Sequence, residues 1–321
     1  MKIEINEAAE FLRSHDDFLI LMHASPDGDT LGCGFALCTA LQRMGKKADV
    51  ICPDEIPHRF DYMREGYAPM SFEHNTIVAV DVADAKLLGD LAETYADKVE
   101  LCIDHHVSNT HYAKQLLLRE HYASACELMF EVITAIGAPI DRIIANCLYT
   151  GVATDTGCFK FSNTKPQTHI VAAKLMECGA EIAPINYAMF ELKTQGRIKL
   201  EQEVLKNMRY FADGHIAMVT VTLDTLAGIS DIDSDDVGAM ASIPRQIEGV
   251  DIGISMKEKK PGLFKASLRS SERIDVSKIA QQFGGGGHAR ASGCSFTCGY
   301  DTAVEQLTNA CIEALKQAEI I

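Results

Sequence analysis

Four short apolar runs rich in β-branched residues, Phe18–His23, Ala48–Cys52, Thr76–Val82 and Val99–Asp104, recur through the first third of the chain, with helical patterns between several of them. Strands that alternate with helices read as a mostly parallel sheet with crossover helices. The first run opens into a loop, Ala24–Asp29, and then into Leu31–Lys46, where Leu31, Phe35, Leu37, Leu41 and Met44 mark one buried helical face. Gly32 and Gly34 weaken that helix locally but let another backbone approach it. Ile143, Ile144, Cys147, Leu148 and Val152 repeat helical spacing just ahead of Thr154–Gly157.

At 321 residues two domains are expected. The reading is a catalytic domain over residues 1–190, a polar connecting helix over 191–210 with Arg197, Lys199, Glu201, Glu203 and Lys206 facing outward, and a smaller α/β domain over 211–321. The smaller domain should contain a strand at His215–Thr222, another at Phe264–Arg269, a short helix at Val276–Phe283 and then four glycines, Gly284–Gly287, before His288. A cleft between the two domains is expected. The early residues Glu4, Glu7 and Glu10 are acidic and the first apolar run is short, so neither a signal peptide nor a membrane span is expected. Eleven scattered cysteines, an odd number, suit reduced thiols and a cytoplasmic location. A net charge of −15 without an offsetting basic stripe disfavours long DNA as a ligand. A small phosphorylated substrate held by metals and a few cationic side chains fits that charge.

The chemistry gathers at strand ends, where an open α/β sheet forms its ligand crevice. The first run supplies His23, Asp27 and Asp29, the third supplies Asp81, and the fourth supplies Asp104, His105 and His106; Asp155 follows the later helix. Each Asp alone could be an ordinary turn former or helix cap. An H-x-x-x-D-x-D loop, a strand-end Asp, a D-H-H and a further Asp in that order point together to metal. Oxygen-rich donors with some imidazole and no Cys favour Mn²⁺, with Mg²⁺ or Co²⁺ as substitutes. Six side chains are too many for one ion that must keep positions open, whereas two ions sharing a carboxylate fit; such pairs sit about 3.5–4 Å apart. Cys102, a strand residue between apolar neighbours, reads as buried and inert.

These four segments resemble the successive motifs of the DHH phosphoesterase superfamily, and Gly284–Gly293, GGGGHARASG, resembles the signature of its DHHA1 C-terminal domain. Length and domain pairing are most similar to the stand-alone nanoRNase/pAp phosphatase group. The resemblance implies hydrolysis of short oligoribonucleotides or linear dinucleotides to mononucleotides, and of 3′-phosphoadenosine 5′-phosphate (pAp) to AMP. It implies that His23 and Asp27 hold one cation, that Asp29, His105 and Asp155 hold the other, and that Asp81 bridges them. Asp104 would orient His105 through its second ring nitrogen, and His106 would point at the scissile phosphate. Lys160 stands where the motif leads one to expect Arg, which keeps the charge but loses the bidentate fork.

In the second domain four successive glycines exceed what a turn needs, which reads as backbone brought against a phosphate. Gly285, Gly286 and Gly287, with His288, Arg269 and Ser270, form the expected substrate-reading set, while Arg290 and Ser292 also fit solvent-facing strand positions. The expected partners are short RNA, linear dinucleotides or pAp, with no membrane; the sequence is compatible with a homodimer. A dedicated pAp phosphatase is the nearest alternative. A pyrophosphatase would need a denser cationic cluster, and a non-catalytic nucleotide sensor would be expected to lack a ligand.

Overall fold

In the computed structural model, which describes the backbone of residues 1–321 and all side chains but those of 234 and 235, the apolar runs become parallel strands. They are β1 (Phe18–Leu21), β2 (Ala48–Ile51), β3 (Thr76–Val80) and β4 (Leu101–Asp104), joined by a fifth, β5 (Gln115–Leu118). The order is β2-β1-β3-β4-β5 and every pairing is parallel. Every position of β1, β3 and β4 is buried, as a sheet covered on both faces requires. The chain runs outward from β1 to β2 and returns to β3 on the other side of β1, so the crevice opens at the carboxyl ends of β1 and β3.

The helices of this unit are α1 (Ile5–Ser14), α2 (Gly28–Arg43), the short α3 (Ala92–Tyr95), α4 (Ala125–Ile136), α5 (Arg142–Asp155), α6 (Pro166–Glu177) and α7 (Ile182–Asn186). One core joins Phe18, Ile20, Val78 and Ile103 to the apolar faces of α1, α2, α4 and α5; a second, under Leu19, Leu21, Ile77 and Cys102, covers the other face. α2 and α5 touch closely because glycine lies at the contact: a Cβ on Gly32 would meet the Cys147 carbonyl at 2.4 Å, and one on Gly151 would meet Asp29 Oδ1 at 2.6 Å. That approach brings Asp29, in the first turn of α2, toward Asp155, the last residue of α5.

Chain contacts divide the protein into Met1–Leu192 and Lys193–Ile321. The second unit contains α8 (Gln195–Lys206), β6 (Arg209–Phe211), β7 (Ile216–Val221), α9 (Leu223–Ala227), α10 (Ser234–Ala239), β8 (Ile252–Lys260), β9 (Leu263–Ser270), α11 (Val276–Gln281), β10 (Gly286–His288), β11 (Ala291–Phe296) and α12 (Tyr300–Gln317). Its six strands run β10-β11-β9-β8-β7-β6, with only β7 and β8 parallel. Ile254, Met256, Ala266, Leu268 and Phe296 form one core with Ile279, Leu307 and Cys311. The polar segment expected to connect the domains is α8, whose Leu200 and Val204 are buried with Val219, Val221 and Met240, so its apolar face belongs to the second unit. No helix is long and apolar enough to cross a membrane among the described residues.

Candidate metal centre and substrate-reading surface

Each acid of the first unit is placed by a strand or helix end. His23 follows β1, Asp81 follows β3, and Asp104 closes β4. Asp27 caps α2, its Oδ1 accepting the amides of Asp29 and Thr30 at 3.0 and 3.1 Å. Thr30 ties this helix start to the sheet by donating its hydroxyl to the Val80 carbonyl at 3.2 Å. Asp81 takes a left-handed backbone, φ 59°, pinned by its amide on the Ile103 carbonyl at 2.9 Å; such strain in a non-glycine residue marks functional positions.

Two sets of donors result, His23–Asp27–Asp81 and Asp29–His105–Asp155, each with donor atoms within 4.8 Å of one another. Asp81 faces both sets: Oδ2 lies 3.6 Å from His23 Nε2, and Oδ1 lies 3.6 Å from His105 Nε2. His105 Nε2 is also 3.7 Å from Asp29 and 3.4 Å from Asp155. A cation about 2.1 Å from each donor, in octahedral or tetrahedral geometry, would space the donors roughly 3.0–3.4 Å apart, close to these separations. His23 Nδ1 lies 2.8 Å from the Ala24 carbonyl and His105 Nδ1 lies 3.2 Å from that of Tyr122. Donation from Nδ1 leaves each Nε2 lone pair facing carboxylates. Asp81 Oδ1 and His105 Nε2 are buried without a hydrogen-bond partner. Lone pairs facing carboxylates, with two orphaned atoms facing each other at the His105 set, fit bound cations.

The electrostatics agree. Burial, together with Asp29, pushes Asp81 well above the ordinary carboxylate range, and burial with Asp29 and Asp81 pushes Asp155 up to about 10. Burial raises Asp29 as well. Burial opposes charge on His23, yet Asp27 and Asp81 outweigh it and push the ring up to about 11. Without cations the cluster lowers its repulsion only by holding protons.

Asp104 does not orient His105. As the last residue of β4 it folds over the following turn: Oδ1 accepts the His105 amide at 2.8 Å and pairs with His106 Nδ1 at 2.8 Å, while Oδ2 accepts Asn109 Nδ2 at 2.6 Å. The His105 ring turns to Tyr122 instead. Through the Asp104 hydrogen bond, His106 is raised to about 9, and its half-exposed ring keeps Nε2 free. Lys160 is exposed, with Nζ 5.9 Å from the Phe190 ring. Three residues before it, Gly157 begins a left-handed turn that continues through Cys158 and Phe159.

In the second unit, register places Arg269 opposite Ala291, which is opposite His288, so Arg269 and His288 share a row on one face. A cavity of about 490 Å³ is lined there by Lys265, Ser267, Arg269, Phe283, Gly286 and Ala291. Ser270 is excluded from it. One residue after Arg269, strand alternation turns it to the core, where it is 2% exposed and donates to the Ile274 carbonyl at 2.6 Å. Three of the four glycines are required by the fold: Gly284 and Gly287 have φ of +70° and +137°, and a Cβ on Gly285 would meet the Gly293 carbonyl at 2.2 Å. Gly286 alone has open space and a backbone any residue can adopt. Arg290 binds the Ser271, Ile274 and Glu272 carbonyls, and Ser292 donates to Val276. Lys257 lies directly opposite Lys265, giving this face a short basic row that the sequence text did not reveal.

Sequence reasoning also missed the partners that hold the ligands. Both oxygens of Asp29 accept amides from the start of α4, Ala125 at 2.6 Å and Cys126 at 2.8 Å. Ser124-x-x-Glu127 ahead of an apolar run is the signal that could have found that helix start.

Residues 17–152 match the DHH family N-terminal domain and residues 217–318 the DHHA1 domain. The chain belongs to the DHH/DHHA1 phosphoesterase superfamily. It is 29% identical over 304 residues, 93% of this chain and 90% of the relative, to the bifunctional oligoribonuclease and PAP phosphatase NrnA of Thermus thermophilus. To the protein of the same name from Mycoplasma pneumoniae it is 26% identical, over 91% of each chain. The crystal structure of an exopolyphosphatase-related protein from Bacteroides fragilis superimposes with a TM-score of 0.88 at 24% identity, covering 98% of this chain and 97% of that one. RecJ of Thermus thermophilus in complex with Mn²⁺ shares the fold at TM-score 0.57 and 13% identity, over 97% of this chain and 55% of RecJ.

Proposed function

We propose that the chain is a two-metal phosphoesterase that hydrolyses short oligoribonucleotides or linear dinucleotides to mononucleotides and removes the 3′ phosphate of pAp. The observation that carries this reading is Asp81, whose two oxygens face the two histidines of separate donor sets while the buried Oδ1 accepts no hydrogen bond. Likeness to proteins named bifunctional oligoribonuclease and PAP phosphatase supports the substrate class. His23 and Asp27 hold one divalent cation, Asp29, His105 and Asp155 hold the other, and Asp81 is shared. Mn²⁺ is the first choice from the mixed carboxylate and imidazole donors, with Mg²⁺ or Co²⁺ as substitutes. When bound, such a pair lowers the pKa of water and neutralises phosphoryl oxygens.

The residues do the rest. Asp104 holds the His106 ring with Nε2 outward, so His106 presents a proton donor to the phosphate or to the departing oxygen. Arg269, His288 and the Gly286 backbone read the remote end of the substrate, and binding there positions the reacting phosphate. Lys160 serves as a point charge for a phosphate. All eleven cysteines are free, which supports a reducing, cytoplasmic setting. The test is metal-free protein resupplied with Mn²⁺ and offered pAp, linear dinucleotides, two- to twenty-mers and pyrophosphate. Release of mononucleotides from the short substrates is expected. Activity on pAp alone would favour a dedicated phosphatase, and no turnover of any member would leave a nucleotide sensor.

A further inference from the structure

The three ligands of the Asp29–His105–Asp155 set come from α2, the turn after β4 and the end of α5, yet all converge on one short stretch of backbone, Tyr122–Cys126, that leads into and opens α4. His105 Nδ1 lies 3.2 Å from the Tyr122 carbonyl. The amides of Ala125 and Cys126 donate to the two oxygens of Asp29 at 2.6 and 2.8 Å. Asn163 links the third ligand, its Nδ2 lying 3.1 Å from both the Ala123 carbonyl and the carbonyl of Asp155. The other set makes its hydrogen bonds elsewhere, His23 with the Ala24 carbonyl and Asp27 with the amides of Asp29 and Thr30 in the first turn of α2.

Two buried side chains fix that stretch. Glu127, 1% exposed, reaches back so that Oε2 accepts the Ala123 amide at 2.9 Å and the Thr168 hydroxyl at 3.3 Å. Ser124, fully buried, caps the helix by accepting the Glu127 amide at 3.1 Å. The arrangement is a capping box shifted by one residue, since the Glu reaches the amide before the cap. With Glu127 removed, the Ala123 amide loses its buried acceptor and Tyr122–Cys126 is free to shift. That moves the acceptor for His105 and the donors for Asp29 together.

We propose that Glu127 and Ser124 are positioning residues for a single ion: they lock Tyr122–Cys126 as a backbone template for Asp29, His105 and Asp155 without touching the His23–Asp27 set. The proposal rests on the two-metal reading above. Outer partners of metal ligands typically change affinity by about 10–100-fold, and a template for one set should change one ion only.

The experiment is a titration of metal-free full-length protein with Mn²⁺, followed by calorimetry and by the electron paramagnetic resonance signal of free Mn²⁺. Wild type should bind two ions. Glu127→Ala should bind one with unchanged affinity and the other about 10–100-fold more weakly, with kcat restored at high Mn²⁺. Glu127→Gln keeps a carbonyl acceptor for the Ala123 amide and should recover most of the loss. Should Glu127→Ala fail to fold, by circular dichroism and thermal melting, Ser124→Ala carries the test with a loss of about 5-fold at the same ion. Unchanged affinity for both ions, or equal weakening of both, in a folded variant overturns the proposal. A wild-type chain that binds no pair of ions overturns the two-metal reading itself, and the first titration distinguishes the two failures.

Discussion

Asp81 has two roles that a single substitution separates. Its carboxylate faces both histidines, and its backbone sits in the left-handed region that costs a side chain roughly 1–2 kcal/mol. Asn tolerates that backbone and keeps the shape while losing the titrating carboxyl, so Asp81→Asn should melt at or above the wild-type temperature in chelator at neutral pH. It should also lower kcat/KM by at least about 10²-fold, the several kcal/mol that a metal pair supplies. Asp81→Ala confounds the two effects by adding the backbone cost. A folded Asp81→Asn protein with near wild-type turnover would sink the shared-ligand assignment. At this scale the sequence named the residues that cluster, because strand-end acids in a parallel sheet have one crevice to fill. It could not assign ring partners. Which histidine Asp104 binds depends on a turn whose amides, from His105 and His106, draw Oδ1 inward.

Among elements, the second unit tests the division of labour. Arg269→Ala and His288→Ala should each still bind two Mn²⁺ but lose roughly 10- to 150-fold in kcat/KM on a dinucleotide, the worth of a charge-assisted contact of about 1.5–3 kcal/mol. Hydrolysis of bis(p-nitrophenyl) phosphate, which has no remote end to read, should barely change; an equal loss on both substrates would place these residues in the catalytic centre or the fold. Ser270→Ala is the contrast, because its hydroxyl serves the Ile274 carbonyl: about 1 kcal/mol of stability should go, measured by urea unfolding, with kcat/KM kept. The sequence could separate neither Ser270 from Arg269 nor the needed glycines from the spare one. Strand register decides the first, and the approach of the Gly293 carbonyl to Gly285 decides the second. β5 escaped notice for a related reason: Gln115–Leu118 is four residues long, without alternation or flanking turn residues, and its pairing with β4 and with Lys2 defines it.

For the whole molecule, charge sets two expectations. Net −15 disfavours long polyanions, while the cations on the face that carries Arg269, with Lys257 and Lys265, are few. Rates at low salt should therefore fall steeply from dinucleotides to strands beyond roughly five nucleotides; equal rates on a dimer and a twenty-mer would refute a preference for short substrates. The second expectation concerns stability without metal. Asp155 is raised from 3.8 to about 10 and His23 from 6.5 to about 11, while Asp81 is raised in the same direction. Between the ordinary and raised values the folded protein holds protons that the unfolded chain releases. Stability then falls as pH rises, because its slope follows protons bound unfolded minus protons bound folded. In chelator the melting temperature should decline from about pH 5 toward pH 9. Mn²⁺ displaces those protons, so its affinity and the melting-point gain it gives should grow over the same interval, with proton release seen as a buffer-dependent heat of binding. A melting temperature in chelator that climbs through this window, or Mn²⁺ binding that releases no protons, would mean that the carboxylates are not crowded into one unneutralised cluster.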